Sequence, residues 1–257
     1  MIDLAMSCPT ESGFSAKPPG SRSVHGAAIL CLLFLFLASA AWAQSSPLQK
    51  VLQQLDRNAA NFNTTQANFV WTQYTNIVDD KDIQKGTVYF RRSGRQVEMA
   101  ADISEPTPPK YLLFANSKIQ VYETKVDKVT EYDTGKDRAA FESFLVLGFG
   151  GSGQDMLKAF DVTYSGTEKV DGIDTAKLEL VPKSAKVRNT FDHIWLWIDP
   201  ARGVSLRQQL FAPVDPGQKA GDYRLAAYSD IRINEKIPDS VFTLKTTGST
   251  KFLSPKD

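Results

Sequence analysis

The residues able to do chemistry are few, and most sit in patterns that point elsewhere. Gly148-Phe-Gly150-Gly151-Ser-Gly153 has the letters of the dinucleotide-binding turn G-x-G-x-x-G, and Gly150-Gly151-Ser152-Gly153 contains part of a nucleophile elbow. A phosphate-cradling turn must follow a strand inside a parallel βαβ unit, and the elbow needs a closing glycine where this chain has Gln154. Helical spacing on both sides makes the run a joint instead, so Gly148, Gly150, Gly151 and Gly153 are the expected lid hinge. His193 is the only histidine after His25, too few for a multi-histidine metal site or a triad, and it reads as a packing residue in a strand. Asp79-Asp80-Lys81-Asp82 lacks the glycine and distal glutamate of a calcium loop and reads as a solvated hairpin tip. The acids show no paired spacing. The expectation is a non-enzyme with no catalytic residue, no metal site and no cofactor.

The compartment is read from residues 1–43. A charged start leads into Ala27-Ala-Ile-Leu-Cys-Leu-Leu-Phe-Leu-Phe-Leu-Ala-Ser-Ala40, and Ala41-Trp-Ala43 before Gln44 fits an A-x-A cleavage site. The apolar run is shorter than the roughly 20 residues a spanning helix needs. A cleaved signal peptide over 1–43 is therefore expected, followed by one soluble, exported domain over 44–257. Cys31 lies in the middle of the run behind Leu30, the wrong place for lipid attachment. With Cys8 it is one of two cysteines in the chain, so the mature part is expected to hold neither disulfide nor thiol nucleophile. The net charge of +1 gives no case for nucleic acid.

The elements that must position any site alternate in period. Ser46-Pro47-Leu48-Gln49 fits a capping box, and Leu48, Val51, Leu52, Leu55, Ala59 and Phe62 form one apolar helical stripe. From Gln66 the period becomes two, giving strands at about 66–78, 83–92, 95–102, 110–115, 118–124 and 127–133. Helical spacing returns over about 138–147, with Phe141, Phe144, Leu145 and Leu147, and over about 152–160. Five further strands are expected at about 160–167, 173–182, 189–198, 204–212 and 221–234, with a hairpin turn at Asp199-Pro200-Ala-Arg-Gly203. About eleven antiparallel strands form a sheet long enough to curl. In 191–198, Phe191, Trp195 and Trp197 alternate with Ile194, Leu196 and Ile198, so this strand is expected to be covered on both sides or to line a cavity in part.

In this order of elements the chain resembles the LolA-type family of periplasmic carriers for outer-membrane lipoproteins. Ala67-Asn-Phe69 is similar to the family's entry into its first strand, and Gly86-Thr-Val-Tyr-Phe-Arg91-Arg92 to the hairpin return ending in a basic pair. Leu112-Leu-Phe-Ala-Asn116-Ser-Lys118-Ile-Gln-Val-Tyr122 resembles its strand, turn and strand, and Tyr228 to Leu244 its C-terminal segment. The resemblance implies a mainly β, α+β fold: a half-open antiparallel β-barrel with an N-terminal helix and two lid helices over an apolar interior. It implies acyl chains of lipoproteins or lipids as cargo, an inner-membrane release transporter as donor, an outer-membrane acceptor, a periplasmic location and a monomer. Arg92 aligns with the family's lid latch, which bonds lid carbonyls; Ser93-Gly94 stands where the family usually has proline, and Arg91 and Arg95 remain alternatives for the role. Leu48, Leu52, Leu55 and Phe90, the lid residues Phe141, Phe144, Leu145 and Leu147, and Trp195 with Trp197 are the expected cavity or lid lining. The alternative reading is a periplasmic sensor or scaffold with the same fold, whose exposed strand edges bind a protein partner.

Overall fold

The N-terminal helix begins where Ser46 can close its first turn. The computed structural model describes residues 45–93, 96–134, 147–218 and 220–254, and its first helix, α1, spans Pro47–Asn61. Ser46 Oγ accepts from the Gln49 amide at 3.2 Å, and Gln49 Oε1 accepts from the Ser46 amide at 3.2 Å. This capping box satisfies two otherwise orphaned donors, and Pro47 at the first helical position loses no hydrogen bond. Val51, Leu52 and Leu55 form the buried stripe. The expected signal peptide with Cys8, His25 and Cys31, the latch alternative Arg95, and residues 138–146 of the expected lid helix, with Phe141, Phe144 and Leu145, lie outside the described residues.

Past Phe62 the period of two builds strands β1 (Thr64–Thr75), β2 (Asp80–Ser93), β3 (Gln96–Glu105), β4 (Lys110–Ala115), β5 (Lys118–Glu123) and β6 (Lys128–Asp133). A short helix α2 (Gly153–Ala159) follows, with Ser152 Oγ accepting from the Asp155 amide at 3.0 Å. Then come β7 (Phe160–Val170), β8 (Ile173–Pro182), the single turn α3 (Ala185–Arg188), β9 (His193–Asp199), β10 (Val204–Phe211), β11 (Tyr223–Ile233) and β12 (Lys251–Leu253). The hairpin at 199–203 closes with the Gly203 amide on Asp199 O at 2.7 Å, with Gly203 at φ +62°.

Two meanders, β1 to β6 and β7 to β11, join in the middle through β1 and β11, in the order β12-β6-β5-β4-β3-β2-β1-β11-β10-β9-β8-β7. The sheet is a half-open barrel: β7 and β12 lie at opposite edges of the strand order and the sheet does not close. Residues 45–257 form one compact unit. Side chains opposite one another in the register share a face, which sorts the sheet into two surfaces. One carries Ala67 with Val88, Phe90 with Met99 and Phe114, and Leu196 with Leu178; α1 and α2 pack here, and it is called the helix face below. The reverse face carries Tyr89, Ala100 and Leu113 on one half and Lys177 with Trp197 on the other.

The twelfth strand, β12, corrects the expected count of eleven. It is three residues long and pairs parallel with β6, the other pairs being antiparallel, and nothing in its length or pattern marks it locally. Tertiary contacts hold it. The turn Asp239–Phe242 seats buried Phe242 on Ala100 and Leu113 of the reverse face. The Arg91 guanidinium lies 4.0 Å from the centre of the Phe242 ring, and its Nη1 donates to Asp239 Oδ1 at 2.6 Å. Further on, Asp127 accepts from Thr250 Oγ1 at 2.6 Å and from Thr247 Oγ1 and Ser249 Oγ at 2.8 Å each, while its carbonyl takes the Lys251 amide at 3.0 Å.

Asp127 sits in a left-handed conformation at φ 45°, and Tyr122 OH donates to its carboxylate at 3.0 Å. The hairpin between β1 and β2 repeats the device, with Tyr74 OH on Asp79 at 3.0 Å and Asp79 at φ 49°. The Thr250, Thr247 and Ser249 hydroxyls hold the Asp127 carboxyl down at about 2. Its folded value lies below the unfolded one near 3.8, so its contribution to stability is complete above the unfolded value and is lost as pH falls through about 2. Amide exchange at Lys251–Leu253 should therefore speed up on acidification through that window. In Asp127→Asn, which keeps a side chain tolerant of the left-handed backbone, that exchange should be fast already at neutral pH.

Candidate functional site

The helix face is an apolar surface that the chain covers with its own residues. Leu178, Leu180, Ile194, Leu196 and Ile198 are wholly buried beneath Val51, Leu52 and Leu55 of α1 and Met156 of α2, with Leu48 half-buried against them. Fully burying an aliphatic side chain contributes about 1.5–3 kcal/mol, so this contact is a major part of the fold's stability. Gly153 sets the approach of the two helices: a Cβ there would lie 2.6 Å from Leu52 O. Asp56 Oδ1 accepts from the Gln154 amide at 3.1 Å and ties α2 to α1.

On the other half of the same face, Phe62, Ala67, Val88, Phe90, Met99 and Phe114 form a second cluster, centred on Phe149. Phe149 stacks on Phe90 with centroids 5.2 Å apart and meets Tyr228 edge-on at 4.7 Å. Tyr228 in turn donates to Gln208 Oε1 at 3.3 Å, and burial pushes its phenol upward in pKa. Phe149 is the residue the sequence reading passed over. The signal was present, since a large aromatic set between two glycines suits a turn that delivers one side chain inward.

That delivery explains the glycines. Gly148 and Gly150 have φ near +80°, a Cβ on Gly148 would meet Ser205 Cβ at 2.3 Å, and one on Gly150 would meet the Phe62 ring at 2.5 Å. Leu147 is buried with the first cluster and Phe149 with the second. Gly148, Gly150 and Gly153, read from the sequence as a lid hinge, are thus packed against sheet or helix, with Gly151 between them. The turn is seated by the Ser205 amide on Gly148 O at 3.0 Å.

Arg92 and Arg91 point to opposite faces of β2. Arg92 Nε donates to Phe62 O at 3.1 Å and Nη2 to Ala59 O at 3.2 Å, and the guanidinium lies 5.5 Å from the Phe62 ring centre. These carbonyls stand at the end of α1 and its cap, where Ala59 O also takes the Phe62 amide at 3.4 Å and where a cation is favoured. Asn234 completes the clasp: its Nδ2 donates to Asn61 O at 2.9 Å and its Oδ1 accepts from the Asn63 amide at 2.8 Å. Arg91 is committed to the C-terminal segment on the reverse face.

Two expected lining residues are placed differently. Trp195 and Trp197 lie on the reverse face of β9, away from α1, in a cluster with Val170 and Leu206. Lys177 Nζ stands 3.9 Å from the Trp195 ring centre and 4.9 Å from that of Trp197. Alternation fixed which residues share a face but not which face the helix covers, and Ile194, Leu196 and Ile198 took the helix. His193 is also on the reverse side, stacked on Phe211 at 4.3 Å, with Nδ1 2.8 Å from Asp192 Oδ2. Among the described residues no three His, Cys, Asp or Glu side chains gather as a metal site, and no helix is long and apolar enough to cross a membrane.

No protein-family model matches the chain, and no curated protein matches it. Solved structures do. The chain is similar to an uncharacterized conserved protein from Thermus thermophilus, at 10% identity and a TM-score of 0.52, over 82% of this chain and 100% of that one. It is also similar to a LolA superfamily protein from Nitrosomonas europaea, at 15% identity and a TM-score of 0.39, over 77% of this chain and 97% of that one. A third match is the lipoprotein LppX of Mycobacterium tuberculosis, at 12% identity and a TM-score of 0.41, over 73% and 97%. At 10% identity the likeness to the Thermus protein is one of fold alone, and the half-open sheet under helices expected from the sequence is the architecture observed.

Removing the clasp should loosen the end of α1 without unfolding the sheet. In Arg92→Leu, amide exchange over the last turn of α1 should rise, with a stability loss of about 1 kcal/mol for an exposed charge-assisted pair of bonds. Gly150→Ala should cost about 1–3 kcal/mol, read as a lowered Tm, because the new methyl meets both a left-handed backbone and the Phe62 ring.

Proposed function

We propose that the chain is an exported carrier that shelters acyl chains of lipoproteins or lipids on its helix face. The observation that carries this reading is the cover. One face of a twelve-stranded sheet is lined by aliphatic and aromatic side chains, and it is covered by a fifteen-residue helix, a seven-residue helix and a glycine turn. The end of α1 is fastened by a handful of polar bonds from Arg92 and Asn234. An acyl chain can take the place of Leu52, Leu55 and Phe149 at little net cost, since each methylene contributes about 0.8 kcal/mol on leaving water and the displaced side chains were bound by the same effect. Sheltering a chain needs no catalytic group, and the reading is of a non-enzyme. Residues 1–43 act as its cleaved signal peptide, the periplasm is its compartment, and a membrane release transporter and an outer-membrane acceptor are its donor and receiver.

The closed state is the resting state in this account. Arg92 biases it, and a bias of a few kcal/mol leaves a small open fraction through which cargo enters and from which a tighter receiver takes it. A second reading draws on the same cover: because the chain's own side chains fill the helix face, the sheet edges at β7 and β12 are left to bind a protein partner by strand addition.

Native mass spectrometry of the protein isolated from its own periplasm without detergent tests both. A bound lipid or acylated peptide, with uptake of added diacyl peptide faster in Arg92→Leu than in the wild type, is the outcome expected of a carrier. A clean protein mass with no uptake in either form would remove the carrier reading and leave the edge-binding scaffold.

A further inference from the structure

The C-terminal segment does more than staple β12 to the sheet, because it encloses space. Between the reverse face of β2 to β5 and residues 240–245 lies a cavity of about 360 Å³, within the range of small-molecule sites. Its floor is Ala100 and Leu113, its walls include Tyr89, Tyr111, Tyr122 and Asp102, and Lys245 stands at its roof. It is separate from the helix face. Asp102 faces Tyr111 across the β3–β4 pair, and Tyr111 faces Tyr122 across β4–β5 with ring centroids 6.3 Å apart. Gly86 permits the close approach of β2 that places Asp102 here, since a Cβ at Gly86 would lie on Asp102 O.

Packing alone does not account for these side chains. The Asp102 carboxylate is half-buried yet makes no hydrogen bond or ion pair among the described residues, and desolvation raises its pKa. Among the same residues the hydroxyls of Tyr89 and Tyr111 have no hydrogen-bond partner either, and Lys245 pairs with no acid. With no protein partner to hold them, this carboxylate and these two phenols line the cavity with their polar atoms open to a ligand. A carboxylate flanked by tyrosine rings is the chemistry that receives an organic ammonium group, through an ion pair and the negative ring faces. Lys245, on the segment that roofs the cavity, suits an anion.

We propose that this cavity is a binding site for a small zwitterion, with Asp102 and the Tyr89 and Tyr111 rings holding its ammonium group and Lys245 its anionic group. Phosphoethanolamine is such a molecule, whether free or as the headgroup of a phospholipid. Titration calorimetry of the purified chain with phosphoethanolamine should show one saturable site, with ethanolamine alone and inorganic phosphate alone each binding more weakly. Asp102→Asn and Lys245→Ala should each weaken it at least about fivefold, and binding by the wild type should fall on acidification as Asp102 takes up a proton. Lys245 is exposed, so its replacement leaves the fold intact and reports on the site even if the Asp102 variant unfolds. Cosedimentation with phosphatidylethanolamine–phosphatidylglycerol vesicles that is lost in Lys245→Ala would assign the ligand as a lipid headgroup; binding of the free molecule alone would assign a soluble zwitterion. Absence of saturable binding up to about 10 mM, or equal affinity in wild type and Lys245→Ala, would overturn the proposal.

Discussion

An open sheet with one apolar face has to cover that face, and the rest of this structure follows from how it does so. A closed barrel fills its interior with its own side chains, whereas a sheet whose edge strands never meet leaves its inner surface to be covered by something else. Here the cover is α1, α2 and the turn at 147–150. Its position explains why the glycines are where they are, why Phe149 is buried and why a guanidinium from β2 reaches back to the end of a helix that precedes the whole sheet. The bond that fastens the cover, Arg92 to Ala59 O and Phe62 O, is weak beside the aliphatic contact it fastens. A cover bound mainly by non-directional forces can be exchanged for another apolar body, and that is what makes the carrier reading physically natural.

Much of this was legible in the residues. Ser46-Pro47-Leu48-Gln49 announced the capping box, and strands such as 110–115 and 173–182 have the bounds their alternation suggests. Local signals of that kind depend on a few neighbours. Long-range choices were less readable: Ile194, Leu196 and Ile198 alternate with Trp195 and Trp197, both sets are apolar, and only α1 decides between them. Arg91 and Arg92 are adjacent in the same way. A strand sends neighbours to opposite faces, so one of the pair had to meet α1 and the other the C-terminal segment, but the register that decides which is set by pairing with β1 and β3. β12 escaped notice because its stability lives in Asp127, more than a hundred residues away.

The two surfaces of the sheet differ in chemistry. The helix face is aliphatic and aromatic and covered by α1, α2 and the glycine turn, while the reverse face is tyrosine-rich, charged and crossed by a segment tied down through Arg91 and Asp127. A ligand on the reverse face and an acyl chain on the helix face would therefore be separated by one layer of backbone, with β3 and β4 contributing alternate side chains to each.

The seam between β1 and β11 has a consequence for how the chain folds. It pairs Thr65 with Ile233 and Tyr74 with Tyr223, at the centre of the sheet, so the two meanders cannot be joined until the segment 223–233 is present. Contacts so distant along the chain form slowly, since the loop between them must be closed before any pairing energy is gained. For a polypeptide emerging amino end first, from a ribosome or through a membrane channel, the first six strands must wait as an unfinished edge. The middle is zipped only when the segment around residue 230 arrives, and β12 adds to the far edge after it.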